Sequence, residues 1–511
     1  MRTKRAIHNF ATSVLMQFTA FLLGLIMPRL FISTYGSEVN GMISSIRNLL
    51  AYLMIVEGGV RNASISTLYT PLSNKDQGAV NGILSASRVL FKRAGYIFLV
   101  LIIVVSVLYP FIISKHVDPI TSLLMVLLLG MTSLVDLALI GKYYVLLTAD
   151  QKGYIFTYIQ MISMVLTAGI NIILIYSGFS IVVVTAAAII VIALRVALLR
   201  TYIYKRYSSF NYHSEPNKQA IGQRKDAFVH QITGLVIVNS PILLITLFCG
   251  LKEVSVFAVY SMVVSGVITL ISGLCDGMLA GLGDVIAKNE SSILKRSFAS
   301  IEFSYFLIIS CLYTTTFLLL IPFIKLYTSG FTDANYLRPT LVIMFIVVGV
   351  LQNVRELFKT VVYAAGHFKQ TRNRSLIEAG INVVMSILFI YLFGMEGVLL
   401  GAICSYTYRT IDFVRYASIH ILKRSPLLTL RKALRNALLA LIAAVPLLVM
   451  PIGAANLFQL FLWGVTIFIW SFVIIFGGNA LLERDAARDI VNRVRTMVSS
   501  KIRTNQQISE H

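Results

Sequence analysis

The residues able to do chemistry sit where the chain can least accommodate them. Arg29 falls in an apolar stretch at about 8–33, and Arg47, Glu57 and Arg61 fall in a second at about 41–69. An ionisable group in a bilayer interior costs on the order of 3 kcal/mol, so each of these is a functional candidate by default. Arg29 follows Pro28 near one end of its stretch, where it can also snorkel to the interface. On an uninterrupted helix Arg47 and Arg61 return to within roughly 40° of one face, about 21 Å apart along the axis. Glu57 lies one turn before Arg61 and can pair with it. Arginine suits phosphate because its planar fork binds two oxygens and keeps its charge when desolvated. Arg29, Arg47, Glu57 and Arg61 are therefore expected to line a cavity for an anionic, phosphorylated substrate.

The remaining interior charges divide by context. Asp276, deep in a stretch at about 254–285, is a candidate cation or proton site, while Asp284 near the end of that stretch is expected to be solvated. Arg355, Glu356 and Lys359 form one mixed-sign group and Arg409, Asp412 and Arg415 another; structural ion pairing or snorkelling is the expectation for both. Asp136 and Glu378 have no partner nearby in sequence and are left unassigned. No GxxxxGK[ST], HExxH or GxSxG motif occurs, and no histidine pair has metal-ligand spacing. The four cysteines lie far apart in apolar stretches, with no CxxC. The expectation is a non-enzyme without metal or cofactor, driven by a gradient, the membrane potential or consumption of its substrate.

Composition defines the elements that must hold these charges. Of 511 residues 57% are hydrophobic and 13% charged, against about 25% charged in an ordinary globular chain. With a mean hydropathy of +0.81, too few polar residues remain to cover the surface of a soluble fold. The chain is read as an all-α integral membrane protein. Fourteen stretches have the roughly 20 apolar residues a span needs: 8–33, 41–69, 94–114, 120–147, 154–177, 180–203, 228–250, 254–285, 300–325, 338–364, 375–394, 397–421, 434–451 and 457–482. The net charge of +22 does not call for nucleic acid, because its sources alternate along the chain. Of 44 basic residues 31 fall on the side of the termini and only Lys115, Lys252, Lys325 and Arg338 on the other. That asymmetry places both termini in the cytoplasm.

A shift of about 215 residues brings Glu38-Val39 onto Glu253-Val254, Gly58 onto Gly273 and Ser85 onto Ser300. Six spans per half keep the halves parallel, related by a pseudo-twofold axis along the membrane normal, an arrangement suited to alternating access. The expected organisation is a six-helix lobe at 1–210, a second at 211–425, an additional helix pair at 426–482 and a basic cytoplasmic tail at 483–511. Residues 77–92 and 484–503 read as amphipathic helices lying on the anionic leaflet.

Tyr35-Gly36-Ser37-Glu38-Val39-Asn40-Gly41, Glu57-Gly58-Gly59-Val60 and Leu68-Tyr69-Thr70-Pro71-Leu72 resemble the polysaccharide-transporter branch of the MATE-like flippase superfamily. The resemblance covers nearly the whole chain. It implies a bacterial cytoplasmic-membrane flippase that moves polyprenyl-diphosphate-linked oligosaccharide for capsule, exopolysaccharide or O-antigen synthesis. Membrane lipids and polysaccharide-assembly proteins are the implied partners. Related flippases draw cavity arginines from spans 1, 2 and 8; this chain has them in the first two and lacks one in the eighth. In the lipid II flippase the additional pair forms a groove for the lipid tail, a role open here to Phe458, Phe461, Trp463, Phe468 and Trp470. Three other readings stay open: a lipid II flippase, a cation-coupled exporter of the same fold, and a non-transporting scaffold for membrane glycosyltransferases.

Overall fold

The computed structural model describes residues 2–57, 59–113, 117–212, 214–217, 225–288, 291–449, 452–484 and 488. Every regular element among them is helical: α1 (Arg2–Tyr35), α2 (Ser37–Leu53), α3 (Val60–Ser73), α4 (Gln77–Ile113), α5 (Pro119–Val135), α6 (Gly141–Ala149), α7 (Gly153–Tyr176), α8 (Ile181–Arg206), α9 (Lys225–Phe248), α10 (Leu251–Ala287), α11 (Ser291–Tyr327), α12 (Pro339–Ala364), α13 (Phe368–Phe393), α14 (Met395–Tyr416), α15 (Leu427–Leu448) and α16 (Leu457–Leu482). A 3₁₀ turn (Met54–Glu57) separates α2 from α3, and a π turn (Asp136–Ile140) joins α5 to α6. Among the described residues twelve helices are long and apolar enough to cross a bilayer. The two others in the expected series, α14 and α15, are 22 residues each. Their composition is diluted by Arg409, Asp412 and Arg415, and by Arg431, Lys432 and Arg435. At 1.5 Å per residue each still reaches about 33 Å, enough for the roughly 30 Å hydrocarbon core. With α2/α3 and α5/α6 counted as interrupted spans, the described residues form about fourteen membrane helices. Polar caps set some helix starts: Asp118 accepts from the Thr121 amide at 2.9 Å and Asn456 from the Gln459 amide at 2.9 Å.

Two expectations need correction. The second span is not continuous: Gly59 takes φ +74°, which favours glycine, and with the 3₁₀ turn it breaks the helix between Arg47 and Arg61. The shared face calculated for a straight helix does not exist. Residues 77–92 are likewise not a separate surface helix. They are the opening turns of the 37-residue α4, and Val80, Ile83 and Leu84 are buried. Residues 211–212 and 214–217 are laid over those turns: the Asn217 amide donates to Gly82 O at 3.1 Å, Ser85 Oγ to Ser214 O at 2.6 Å, and the Asn211 amide to Asn81 Oδ1 at 2.8 Å. Chain, not lipid, covers the apolar face.

The chain divides into two compact units. One comprises Met1–Val259 with Gly330–Ala334 and Ile390–Val398; the other comprises Tyr260–Ser329, Asn335–Phe389 and Leu399–His511. Within the first, the Tyr35–Gly41 segment acts as a clamp. Gly36 has φ +85°. The Ser37 amide and hydroxyl donate to the Asp333 carboxylate at 2.7 and 2.8 Å. Asn40 Nδ2 donates to Ser255 Oγ at 2.8 Å, across the same 215-residue offset at which the sequence repeats.

Within the second unit, α15 and α16 are fastened to α11 by a buried acid. Glu302, fully buried, accepts from Arg424 Nη2 at 2.6 Å, Arg424 Nη1 at 2.8 Å and Thr429 Oγ1 at 2.7 Å, with Lys432 Nζ 3.1 Å away. Glu483 meets Arg435 at 2.8 Å and Lys432 at 3.4 Å. Removing one member of a buried ion pair strands the other, at about 3–5 kcal/mol. Glu302→Gln is therefore expected to lower the thermal midpoint sharply and reduce purified yield; a midpoint equal to wild type would show that the clamp contributes nothing. Phe458 and Phe461 are exposed, while Trp470 Nε1 donates to Ala443 O at 3.1 Å.

Candidate functional site

The first unit contains a cavity of about 640 Å³ between α1, α2, α5, α7 and α8. Apolar Leu23, Met27, Phe31 and Met164 line part of it, and Asn40, Ser44, Gln160 and Asn171 supply polar groups. Thr132 and Ser163 donate their hydroxyl protons to Leu129 O and Ile159 O of their own helices, both at 2.8 Å. What they offer the cavity is acceptor lone pairs. The charged groups on the wall are Arg47 and Arg195.

Their surroundings make these two arginines unlike the other interior charges. Arg47 is exposed to the cavity and makes no hydrogen bond or ion pair among the described residues. Arg195 is nine-tenths buried and reaches one acid: its Nη1 lies 3.2 Å from Asp136 Oδ1. The angle is too poor for a hydrogen bond, and Arg195 Nε and Nη2 are left without acceptors. The π turn places Asp136 there. A single π insertion re-aims one side chain of an otherwise regular helix and recurs at functional sites. A buried guanidinium with two unused donors, lining the same cavity as the unopposed Arg47, suits an anion.

The four residues expected to share a cavity are not brought together. Arg47 lines it; Arg29, next to the lining residue Pro28, does not. Arg61 Nε donates to Glu57 Oε1 at 2.6 Å and its Nη2 to Oε2 at 3.3 Å, and its guanidinium lies 4.9 Å from the Tyr144 ring centre. Neither Glu57 nor Arg61 lines the cavity. Asp276 lies on α10 with its side chain outside the described residues, as does that of Asp284; of the expected tail helix, 485–487 and everything from 489 onward also lie outside. The residue that sequence reasoning passed over is Arg195. Its signal was available: a lone cation in mid-span and a lone acid, Asp136, in another span are natural partners.

In the second unit Glu378 finds two cations, Arg355 Nη1 and Arg409 Nε, the latter at 3.3 Å. Arg409, 1% exposed, also meets Asp412 at 2.7 Å and Ser375 Oγ at 2.7 Å and stacks on Phe413, its guanidinium carbon 3.8 Å from the ring centre. Arg374 reaches Asp412 at 2.5 Å and Lys359 reaches Glu356 at 2.6 Å. The pairs expected within each group therefore form, and further pairs cross between helices. This cluster is compensated almost charge for charge, which marks it as structural beside the open guanidinium groups of the first unit.

Comparison with known proteins rests on the fold. No protein-family profile matches the sequence, and no curated protein sequence matches it. Solved structures do match. The lipid II flippase MurJ in an inward closed conformation aligns with a TM-score of 0.67 at 15% identity, over 93% of this chain and 99% of that one. The chain has the fold of MurJ and the MATE transporters. An inward-facing multidrug resistance MATE family transporter of the MOP superfamily aligns with a TM-score of 0.60 at 15% identity, over 82% of this chain and 94% of that one. The Vibrio cholerae MATE transporter VcmN in its bent form gives 0.51 at 15% identity, over 86% and 99%.

Proposed function

We propose that this protein is a flippase carrying a polyprenyl-diphosphate-linked oligosaccharide across the bacterial cytoplasmic membrane by alternating access. It performs no chemistry on its cargo. The observation that carries this reading is the cavity: Arg47 stands on its wall without a carboxylate, and Arg195, another lining residue, keeps two buried donors without acceptors. A cationic drug would want the opposite charge there. A diphosphate supplies the acceptors both arginines lack, and Gln160, Asn171 and the hydroxyl lone pairs suit sugar hydroxyls. A scaffold without cargo would have no use for an unopposed interior cation. The organisation proposed with it keeps the lobes at 1–210 and 211–425, the helix pair at 426–482 and the basic tail at 483–511.

The test is a flipping assay in proteoliposomes containing only this protein and a lipid-linked oligosaccharide, with lipid II as the second substrate because MurJ shares the fold. A membrane negative inside favours outward movement of one negative charge by about 2.3 kcal/mol per 100 mV. Collapsing the potential should slow flipping, and ATP should change nothing. An ATP requirement, or flipping of neither lipid, would overturn the proposal. Orientation has its own test. In a cysteine-free background, a single cysteine at Ser177, exposed after α7, should react with an impermeant maleimide on intact cells. One at Gln151, exposed before α7, should react only after permeabilisation. The reverse pattern would invert the topology.

A further inference from the structure

A second cationic site lies apart from the cavity, near the junction of α8 with the segment that follows it. Lys142 on α6 is half-buried, its ammonium 4.9 Å from the Tyr143 ring centre and 5.9 Å from that of Tyr212. The two rings meet edge to face at 6.2 Å. The charges that act on Lys142 are Arg88 of α4 and Arg200 of α8, both of its own sign. None of the three forms an ion pair with a carboxylate among the described residues. Arg88 Nη1 makes only a long contact, 3.4 Å, to the Tyr212 carbonyl. The Tyr212 hydroxyl, on the ring beside Lys142, is buried without any partner.

Lys142 and Arg88 meet at Tyr212 without an acid, and the exposed Arg200 adds a third like charge; like charges repel, and aromatic faces offset only part of that cost. At Glu302, Glu378 and Asp412 this chain answers buried cations with carboxylates. Its omission here leaves a charge deficit that an anion would fill. We infer that Arg88, Lys142 and Arg200, with the Tyr212 hydroxyl, form a binding site for a phosphate-bearing anion. Arginine forks and a lysine point charge are the donors phosphate takes, and basic pockets between membrane helices take lipid head groups. The phosphate has two sources, an anionic phospholipid head group or a soluble phosphate. None of these residues lines the cavity, so the inference does not depend on the proposed cargo.

Thermal unfolding of the full chain in nanodiscs tests it. One arm compares phosphatidylcholine discs with discs of equal parts phosphatidylcholine and phosphatidylglycerol. The other titrates inorganic pyrophosphate into phosphatidylcholine discs. A ligand that binds only the folded state raises the midpoint. Wild type should gain a few degrees in at least one arm, and the responding arm names the source. Lys142→Gln/Arg200→Gln should lose most of that gain. In pure phosphatidylcholine it should unfold no lower than wild type, because removing like charges relieves repulsion. That second readout separates a ligand site from a structural one. A gain that survives in the variant, no gain in either arm for wild type, or a variant less stable in pure phosphatidylcholine would each overturn the inference.

Discussion

Arg47→Gln combined with Arg195→Gln will reduce flipping of a lipid-linked oligosaccharide by about a hundredfold. Each arginine alone will cost about tenfold, from a hydrogen bond to a charged group of about 1.5–3 kcal/mol and a factor of ten for each 1.4 kcal/mol. Glutamine keeps a polar side chain of moderate length, so the loss reports charge and fork geometry rather than a collapsed wall. Arg195 needs a control, because its removal leaves Asp136 alone in the span. Asp136→Asn added to Arg195→Gln removes both charges. If the pair were only structural, that variant would recover both stability and transport. The expected result is recovered stability with transport still low. Arg195→Lys should recover only part of the rate, since a point charge replaces a two-oxygen fork.

The same measurement separates Arg61 from Arg47. Arg61 is held by both oxygens of Glu57 and stacked on Tyr144, away from the cavity wall. Neutralising both partners with Glu57→Gln/Arg61→Gln removes a compensated pair and should leave transport near wild type, because replacing both members of such a pair strands neither.

The difference between these two arginines shows where a sequence stops informing. Helix number was legible because a bilayer imposes a length on each apolar stretch, and α14 and α15 were legible despite their charges for the same reason. Pairing between spans was not. Asp136 with Arg195 and Glu378 with Arg355 and Arg409 are contacts at separations of 59, 23 and 31 residues, visible only once helices are packed. The break after Leu53 was signalled by the glycines following Glu57, since adjacent small residues are a common cause of helix kinks, yet hydropathy runs through it without change. Residues 77–92 show the opposite error. Their amphipathic pattern was read correctly as a buried face, but the pattern does not say whether lipid or the chain around Asn211, Ser214 and Asn217 covers it.

Gly41→Ala will keep the protein from accumulating in folded form. Gly41 does not need glycine for its dihedral angles, since it lies inside α2. It needs glycine for space: a Cβ there would sit 1.9 Å from the carbonyl oxygen of Leu251 and 2.8 Å from its carbonyl carbon. The obstacle is backbone, which cannot rotate aside as a side chain can. Adding one methyl must therefore separate α2 from the start of α10, next to the Asn40–Ser255 hydrogen bond and the Ser37–Asp333 contact. Overpacking in a well-filled core costs about 1–3 kcal/mol and occasionally more; with backbone on both sides and three polar contacts at stake, the upper end applies. Size-exclusion of a fluorescent fusion should show a collapsed monodisperse peak. Gly169→Ala is the matched control, with nothing within 4 Å of its added methyl, and should behave as wild type or better. A normal peak for Gly41→Ala would mean that this crossing is looser than 1.9 Å allows. In that case the Tyr35–Gly41 segment would owe its composition to the cavity, which Asn40 also lines, rather than to packing.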